Sequence, residues 1–450
     1  MSKDIRIKKG LNIKLVGEAE PITTEIYFGG VYAVNPNDFH GIVPKVIAKE
    51  GAEVKAGETL FYSKSDERIL IPSPVSGKVT EIVRGARRKV LLMKITATAK
   101  QEFKDFGIKD SSKMSGKEVK DHLLNAGCWP FIKQRPYDII ANPDQAPKAL
   151  FISAYASAPL AADYDYTLKG KEAELQSAID AVGKLTEGKV HVSIAKNAVN
   201  SPFANAKGIE IHKVSGPHPI GNVSTQIAAI DPINKGEVVW VLTPQDLVVI
   251  GELLLTGKLN LQRTIALSGS QFSKPQYVSA LAGVSIEKLV KNNLIDDNTR
   301  IISGNVLSGT QVKTNDFLGF YDNQITAIPE GDDYEFFGWN KPVFNKISAT
   351  RALTFSWLSP NKKYDLDTNT NGEHRAFVIT GAYEGVFPLD IYPMQLLKAC
   401  MYKDLDEMEA LGAYEIAPED FALTEFICVS KQPHQKIIRE GLDLLKEELG

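Results

Sequence analysis

Apolar residues fall into three regimes along the chain. From Asn37 to Ile95 they come in short runs broken by turn residues, GAEVKAGETLF, ILIPSPVSGKVTEIV and KVLLMKIT, which predict an all-β unit. Lys113 to Pro147 opens on a helical stretch, EVKDHLLNAG, and closes on WPFIKQRPYDIIANPDQAP, whose prolines and aromatics predict an irregular connector. Strand and helix periods then alternate: strand KALFISAY, helix EAELQSAIDAVGKL, strands KVHVSIA, GIEIHKV and EVVWVL, and helix TPQDLVVIGELLL. That order indicates a layered α/β domain. RTIALSG, a predicted helix YVSALAGVSIEKLVKNNLI and TRIISG follow as a strand, helix, strand module. Polar and aromatic residues from Asp332 to Asn371 predict an inserted excursion, and the tail from Asp390 is helical. In its last segment Ile438, Leu442, Leu445 and Leu449 recur at helical spacing as one apolar stripe.

The chain is therefore expected to be a multidomain α+β protein. The expected units are a β domain over 1–100, a helical segment and connector over 101–147, an α/β domain over 148–258 and a second mixed domain over 259–330. An excursion over 331–375 and a helical domain over 376–450 complete it. With 450 residues and 43% hydrophobic content, several cores can be buried. The longest apolar stretch, Val238 to Leu255, is interrupted by Pro244, Asp246 and Glu252, well short of the roughly 20 residues of a bilayer span. MSKDIRIKKG lacks an apolar segment after its basic residues, so a soluble, cytoplasmic chain is expected. A net charge of −3 without basic, aromatic-interleaved runs argues against nucleic acid. Three scattered cysteines, Cys128, Cys400 and Cys428, indicate neither a disulfide framework nor a zinc site.

Two short runs carry the shape of iron–sulfur chemistry without its ligands. A ferredoxin frame, C-x2-C-x2-C-x3-C followed by proline, wraps thiolates around a cubane cluster. In AFVITGAYEGVFPLDIYPMQL its four positions hold Phe377, Thr380, Tyr383 and Phe387. In APEDFALTEFICVSKQPHQ they hold Pro418, Phe421, Thr424 and Cys428, so one ligand of eight remains and neither cluster should form. The frame resembles the tail of the C-type subunit of Rnf electron-transport complexes, a relative of the flavin subunit of complex I. LLNAGCWPFIKQRPYD falls where those relatives place a glycine-rich loop against the FMN phosphate, and the loop is missing.

The full set of segments, IKKGLNIKLVGEAEP, KAGETLF, PVSGKV, GPHPIGNVSTQIAAIDP, VWVLTPQDLVVIGELLLTGKL and RTIALSG, resembles the A-type subunit of the Na+-translocating NADH:quinone reductases (Na+-NQR) over essentially the whole chain. The resemblance implies a barrel-sandwich (biotinyl/lipoyl-like) β domain, a Rossmann-like α/β domain, a β-grasp (SLBB-like) domain and a helical C-terminal domain. It also implies a peripheral position on the cytoplasmic face, next to the membrane-embedded B-type subunit. Such a chain supports ubiquinone or menaquinone reduction coupled to Na+ export. NADH, the flavins (FMN, FAD, riboflavin) and iron would belong to other subunits, with no cofactor on this chain.

Candidate sites compete with plainer uses of the same residues. IPSPVSGKVTEI matches the second half of lipoyl carriers, yet the position of the modified lysine holds Asp66, with Lys64 out of register. GKLTEGKV, Gly183 to Val190, lacks the hydroxyl residue of a P-loop and follows a helix. The histidines show no paired ligand spacing; the closest pair, His212 and His218, straddles a Gly-Pro turn. A quinone cleft needs apolar walls and a few polar groups. Trp129, Phe131, Arg135 and Tyr137 in the connector, with Phe39 and His40 in NPNDFHG, offer both. Inter-domain packing by the same aromatics is the competing use. Three roles stay open: a quinone-binding subunit, an adaptor without ligand, and an Rnf-like NADH/FMN subunit.

Overall fold

In the computed structural model, residues 2–333, 335–337, 345–350, 353–378 and 380–450 are described. A seven-stranded sheet runs in the order Asp4–Arg6, Glu210–Ser215, Val190–Ala195, Ala149–Ser153, Val239–Leu242, Lys133–Arg135, Ile139–Ile140. Its first five strands are parallel, and the sixth runs antiparallel to both of its neighbours. In strand Ala149–Ser153 the run from Ala149 to Ile152 is apolar without a break because both of its faces are covered. Leu150 and Ile152 join the core that contains Leu175, Ile179 and Leu253, from helices Glu172–Val182 and Pro244–Thr256. Ala149 and Phe151 pack with Val223 and Ile227 of helix Val223–Ile230 on the opposite face. The two helices on the first face approach closely at Gly251, where a Cβ would lie 1.9 Å from the Glu174 carbonyl oxygen.

The expected irregular connector is instead ordered sheet edge. Lys133 pairs with Val241, and Gln134 pairs with both Trp240 and Ile139, so the segment extends the sheet and turns back on itself. Tyr137 and Asp138, at φ 76° and 51°, are consecutive left-handed residues in that reversal.

Two small antiparallel sheets form the β unit: Val31–Val34, Val90–Ala97, Gly77–Arg84 and Glu53–Val54 in one, Pro44–Val46, Thr59–Ser63 and Leu70–Pro72 in the other. The first residues of the chain leave this unit. Asp4–Arg6 joins the seven-stranded sheet, and Glu20–Glu25 joins a six-stranded sheet in the order Thr310–Val312, Thr299–Ser303, Gln324–Pro329, Gln262–Ser268, Gln276–Leu281, Glu20–Glu25.

The helix expected over 277–295 is a correction. Gln276–Leu281 is a strand paired along its whole length with Gln262–Ser268, and only Ile286–Val290 is helical. Pairing outweighs the helical spacing here, because Tyr277 and Val278 suit a strand and Gly283 then turns at φ 70° with Ala33 packed against it. Within the expected excursion, residues 334, 338–344 and 351–352 lie outside the described residues. A described part, Tyr364, bridges to Leu15. In the tail, helices Pro393–Tyr402, Leu405–Ala410, Ala422–Ile427 and His434–Leu449 surround a separate core. Ile438, Leu442 and Leu445 of the predicted stripe are buried in it, while Leu449 is exposed.

Candidate functional site

A cleft of about 890 Å³ opens where the β unit, the edge of the seven-stranded sheet and the C-terminal helix meet. The β unit contributes His40, Ile42 and the hairpin from Ser63 to Ile69; the sheet edge contributes Tyr137, Ile139 and Ile140; the helix contributes Lys446 and Leu449. The hairpin is the one that would carry a swinging cofactor in a lipoyl domain. Here it is pinned, because the Arg68 guanidinium meets Asp66 at 2.7 Å and Asp144 across the cleft rim at 2.6 Å.

The structure divides the six sequence candidates. His40 and Tyr137 line the cleft. His40 Nε2 lies 2.7 Å from Asp443 Oδ1, and Arg439 holds that carboxylate through Nε at 3.1 Å. Burial alone would raise Asp443, but these two partners keep it below the usual carboxylate range. The Tyr137 ring meets Tyr414 edge-on at 6.0 Å, and burial raises its phenol. Left-handed backbone at Tyr137 and Asp138 costs roughly 1–2 kcal/mol per residue, which the fold tolerates while holding this ring on the cleft wall.

The other four do not reach it. Phe39 packs on Phe320 at 4.7 Å, Phe131 stacks on the same ring at 5.7 Å, and Trp129 meets Trp240 at 5.4 Å while donating its indole N–H to Ala141 O. All three are at most 1% exposed. Arg135, 3% exposed, turns inward to Glu419 at 3.3 Å and Asp138 at 3.6 Å. Sequence proximity grouped these side chains, but Trp129 and Phe131 belong to a short 3-10 helix packed inward, whereas Tyr137 lies in the turn between Lys133–Arg135 and Ile139–Ile140. Lys446 and Asp443 carry no signal in the sequence beyond that of polar residues on an amphipathic helix.

Where an α/β sheet usually holds a nucleotide, this chain holds its own side chains. The crevice belongs at the carboxyl ends of Ala149–Ser153 and Val239–Leu242, where strand order reverses. At the N-terminus of the helix that follows Val239–Leu242, the anion is the Asp246 carboxylate rather than a phosphate. Arg263 of the six-stranded sheet meets it at 2.7 Å, with both side chains 2% exposed.

The two ferredoxin frames also meet, and in crossed order. In two-cluster ferredoxins the fourth cysteine of one frame ligates the other cluster. Tyr383, third in the first frame, donates its hydroxyl to Cys428, fourth in the second, at 3.0 Å. Phe387, fourth in the first, packs on Phe421, second in the second, at 4.9 Å. Thr424 hydrogen-bonds the His434 ring at 2.9 Å. Aromatic and hydroxyl side chains fill the volume between these positions.

One cluster was invisible to spacing. Strand register places His191 opposite Glu210 and beside His212, with His191 Nδ1 3.0 Å from His212 Nε2. The backbone N–H of Lys3 donates to His212 Nδ1 at 3.1 Å, so the His212 proton sits on Nε2 and donates to His191. A metal on that nitrogen would force the proton onto Nδ1, against the Lys3 N–H. The pair is a lock on the N-terminal strand. Burial lowers His212 from 6.5 to about 4, so below pH 6.5 the unfolded chain accepts a proton that the folded one refuses. The lock is at full strength above pH 6.5 and weakens as pH falls toward 4. In His212→Ala the Ile5 amide is expected to lose about 1–2 kcal/mol of hydrogen-exchange protection at pH 7. In the parent protein the loss should appear only on acidification; unchanged protection in the variant would contradict the lock.

Among the described residues no helix is long and apolar enough to cross a membrane. Family models match three segments: the NqrA N-terminal barrel-sandwich hybrid domain over residues 5–98, the NqrA second alpha/beta domain over 114–259, and the NQRA C-terminal domain, of SLBB type, over 264–314. Among solved structures, an NAD+-reducing [NiFe]-hydrogenase in the air-oxidized state aligns with 68% of this chain and 60% of that one at 11% identity and a TM-score of 0.35, too distant to carry an argument. The A subunit of the Na(+)-translocating NADH-quinone reductase of Neisseria meningitidis serogroup A is 37% identical, covering 99% of this chain and 100% of the relative. The same subunit of Hahella chejuensis is 34% identical over equal coverage. The chain belongs to the NqrA family, the A subunits of the Na(+)-translocating NADH-quinone reductases.

Proposed function

We propose that this chain is the quinone-docking subunit of its complex, holding the head group of ubiquinone or menaquinone in the cleft and carrying no electron itself. The observation that carries the reading is the cleft: an apolar wall of Ile42, Ile139 and Ile140 faces polar groups at His40 and Tyr137. A quinone offers only an apolar ring and two carbonyl acceptors, so one or two donors on an apolar wall suffice to orient it. The chain sits peripherally at the cytoplasmic face beside the membrane-embedded B subunit. NADH, flavins and iron are held by other subunits, and the reduction drives Na+ export. In this reading the seven-stranded sheet is a Rossmann-like domain and the terminal helices a separate domain. Both have given up their redox ligands for packing, as the Asp246–Arg263 pair and the crossed frames support.

A second reading, a ligand-free adaptor, draws on the burial of Phe39, Trp129 and Phe131 against neighbouring units. Equilibrium binding of a short-chain ubiquinone analogue to the purified chain separates the two. Saturable binding is expected, weakened roughly tenfold in Tyr137→Ala. Absence of saturable binding favours the adaptor. An Rnf-like redox subunit would instead show flavin or iron–sulfur absorption in the visible spectrum, and none is expected.

A further inference from the structure

Most charged side chains on the cleft walls are held in ion pairs. Asp66 and Asp144 are both held by Arg68, Glu67 lies 3.7 Å from Lys45, Glu237 lies 2.6 Å from Lys148, and Lys235 meets Glu409 at 2.9 Å. His40 is committed to Asp443. Lys446, on the last turn of the C-terminal helix, lines the same cleft, and among the described residues its ammonium has no carboxylate within ion-pair distance. Its Nζ lies close to the backbone of Gly41, the residue after His40, where an added Cβ would be 3.8 Å away.

An ammonium without an ion-pair partner acts differently on the oxidised and reduced forms of a quinone. Neutral quinone presents weak carbonyl acceptors. Its reduced forms, the semiquinone anion and the hydroquinone monoanion, place negative charge on an oxygen, and a hydrogen bond to a charged acceptor is roughly twice as strong as a neutral one. We infer that Lys446 is a specificity-determining residue that makes the cleft favour the anionic, reduced forms of quinone over the neutral form. The inference rests on the quinone reading of the cleft. It assigns no electron transfer to this chain; the electrons arrive from the complex. Burial works most strongly against the Lys446 charge; Asp443, bound to both His40 and Arg439, favours it from beyond ion-pair distance, and Arg439 opposes it.

Two naphthoquinones of nearly equal shape provide the test on the full chain: 2-hydroxy-1,4-naphthoquinone, ionised at neutral pH, and its uncharged 2-methoxy counterpart. Equilibrium dialysis should show tighter binding of the hydroxy compound. Lys446→Met should cut that preference by roughly 5- to 10-fold while leaving methoxy affinity unchanged, and Lys446→Arg should restore it. A merely structural role would lower both affinities together. If both ligands bind but their ratio is unmoved by Lys446→Met, this inference fails and the quinone cleft stands. If neither binds, the quinone reading fails and takes this inference with it.

Discussion

Arg263→Met destabilises the protein by about 3–5 kcal/mol, whereas the double variant Asp246→Asn, Arg263→Met recovers at least half of that loss. The reason is the setting of the pair rather than its attraction. Both side chains are 2% exposed, so removing the guanidinium strands a carboxylate in a site that water cannot reach. Removing both charges abolishes that penalty. The expected readout is a double-mutant cycle of urea midpoints, and a double variant as unstable as the sum of its singles would contradict it. The pair sits at the N-terminus of the helix that follows Val239–Leu242, so the same experiment measures how far that end of the sheet acts as a structural joint.

Phe131→Ala costs about 3–5 kcal/mol of stability while quinone affinity stays within about twofold. The ring is stacked on Phe320, lies 5.8 Å from the Arg263 guanidinium, and does not line the cleft. Urea denaturation and equilibrium binding on the same preparation separate the effects. A large loss of quinone affinity with stability preserved would restore Phe131 to the binding wall.

Much of the fold was legible because long apolar strands and amphipathic helices announce themselves. KALFISAY and TPQDLVVIGELLL needed no tertiary information, since a strand covered on both faces is apolar throughout and the helix carries its own cap at Thr243. YVSAL was misread because its apolar residues fit either period, and only the partner strand Gln262–Ser268 decides between them. The connector was misread for the same reason: Lys133–Arg135 becomes a strand only by pairing with Val239–Leu242.

The site was half legible. Aromatic density singles out the connector, yet composition does not say which of its side chains face a cleft: Phe131 falls in a short 3-10 helix packed inward and Tyr137 in the turn between two strands. His40 and Asp443 are 403 positions apart, and His191 meets His212 only through strand register. An absent cysteine or glycine is visible at one position, whereas a cleft needs three chain segments in register.

Photoaffinity labelling of the intact complex with a quinone carrying its photoreactive group on the ring tests the central claim most directly. The account predicts adducts on this chain at the cleft walls, in the peptides that hold His40, the hairpin from Ser63 to Ile69, Tyr137 and Lys446, displaced by excess unlabelled quinone. Adducts confined to other subunits would contradict it.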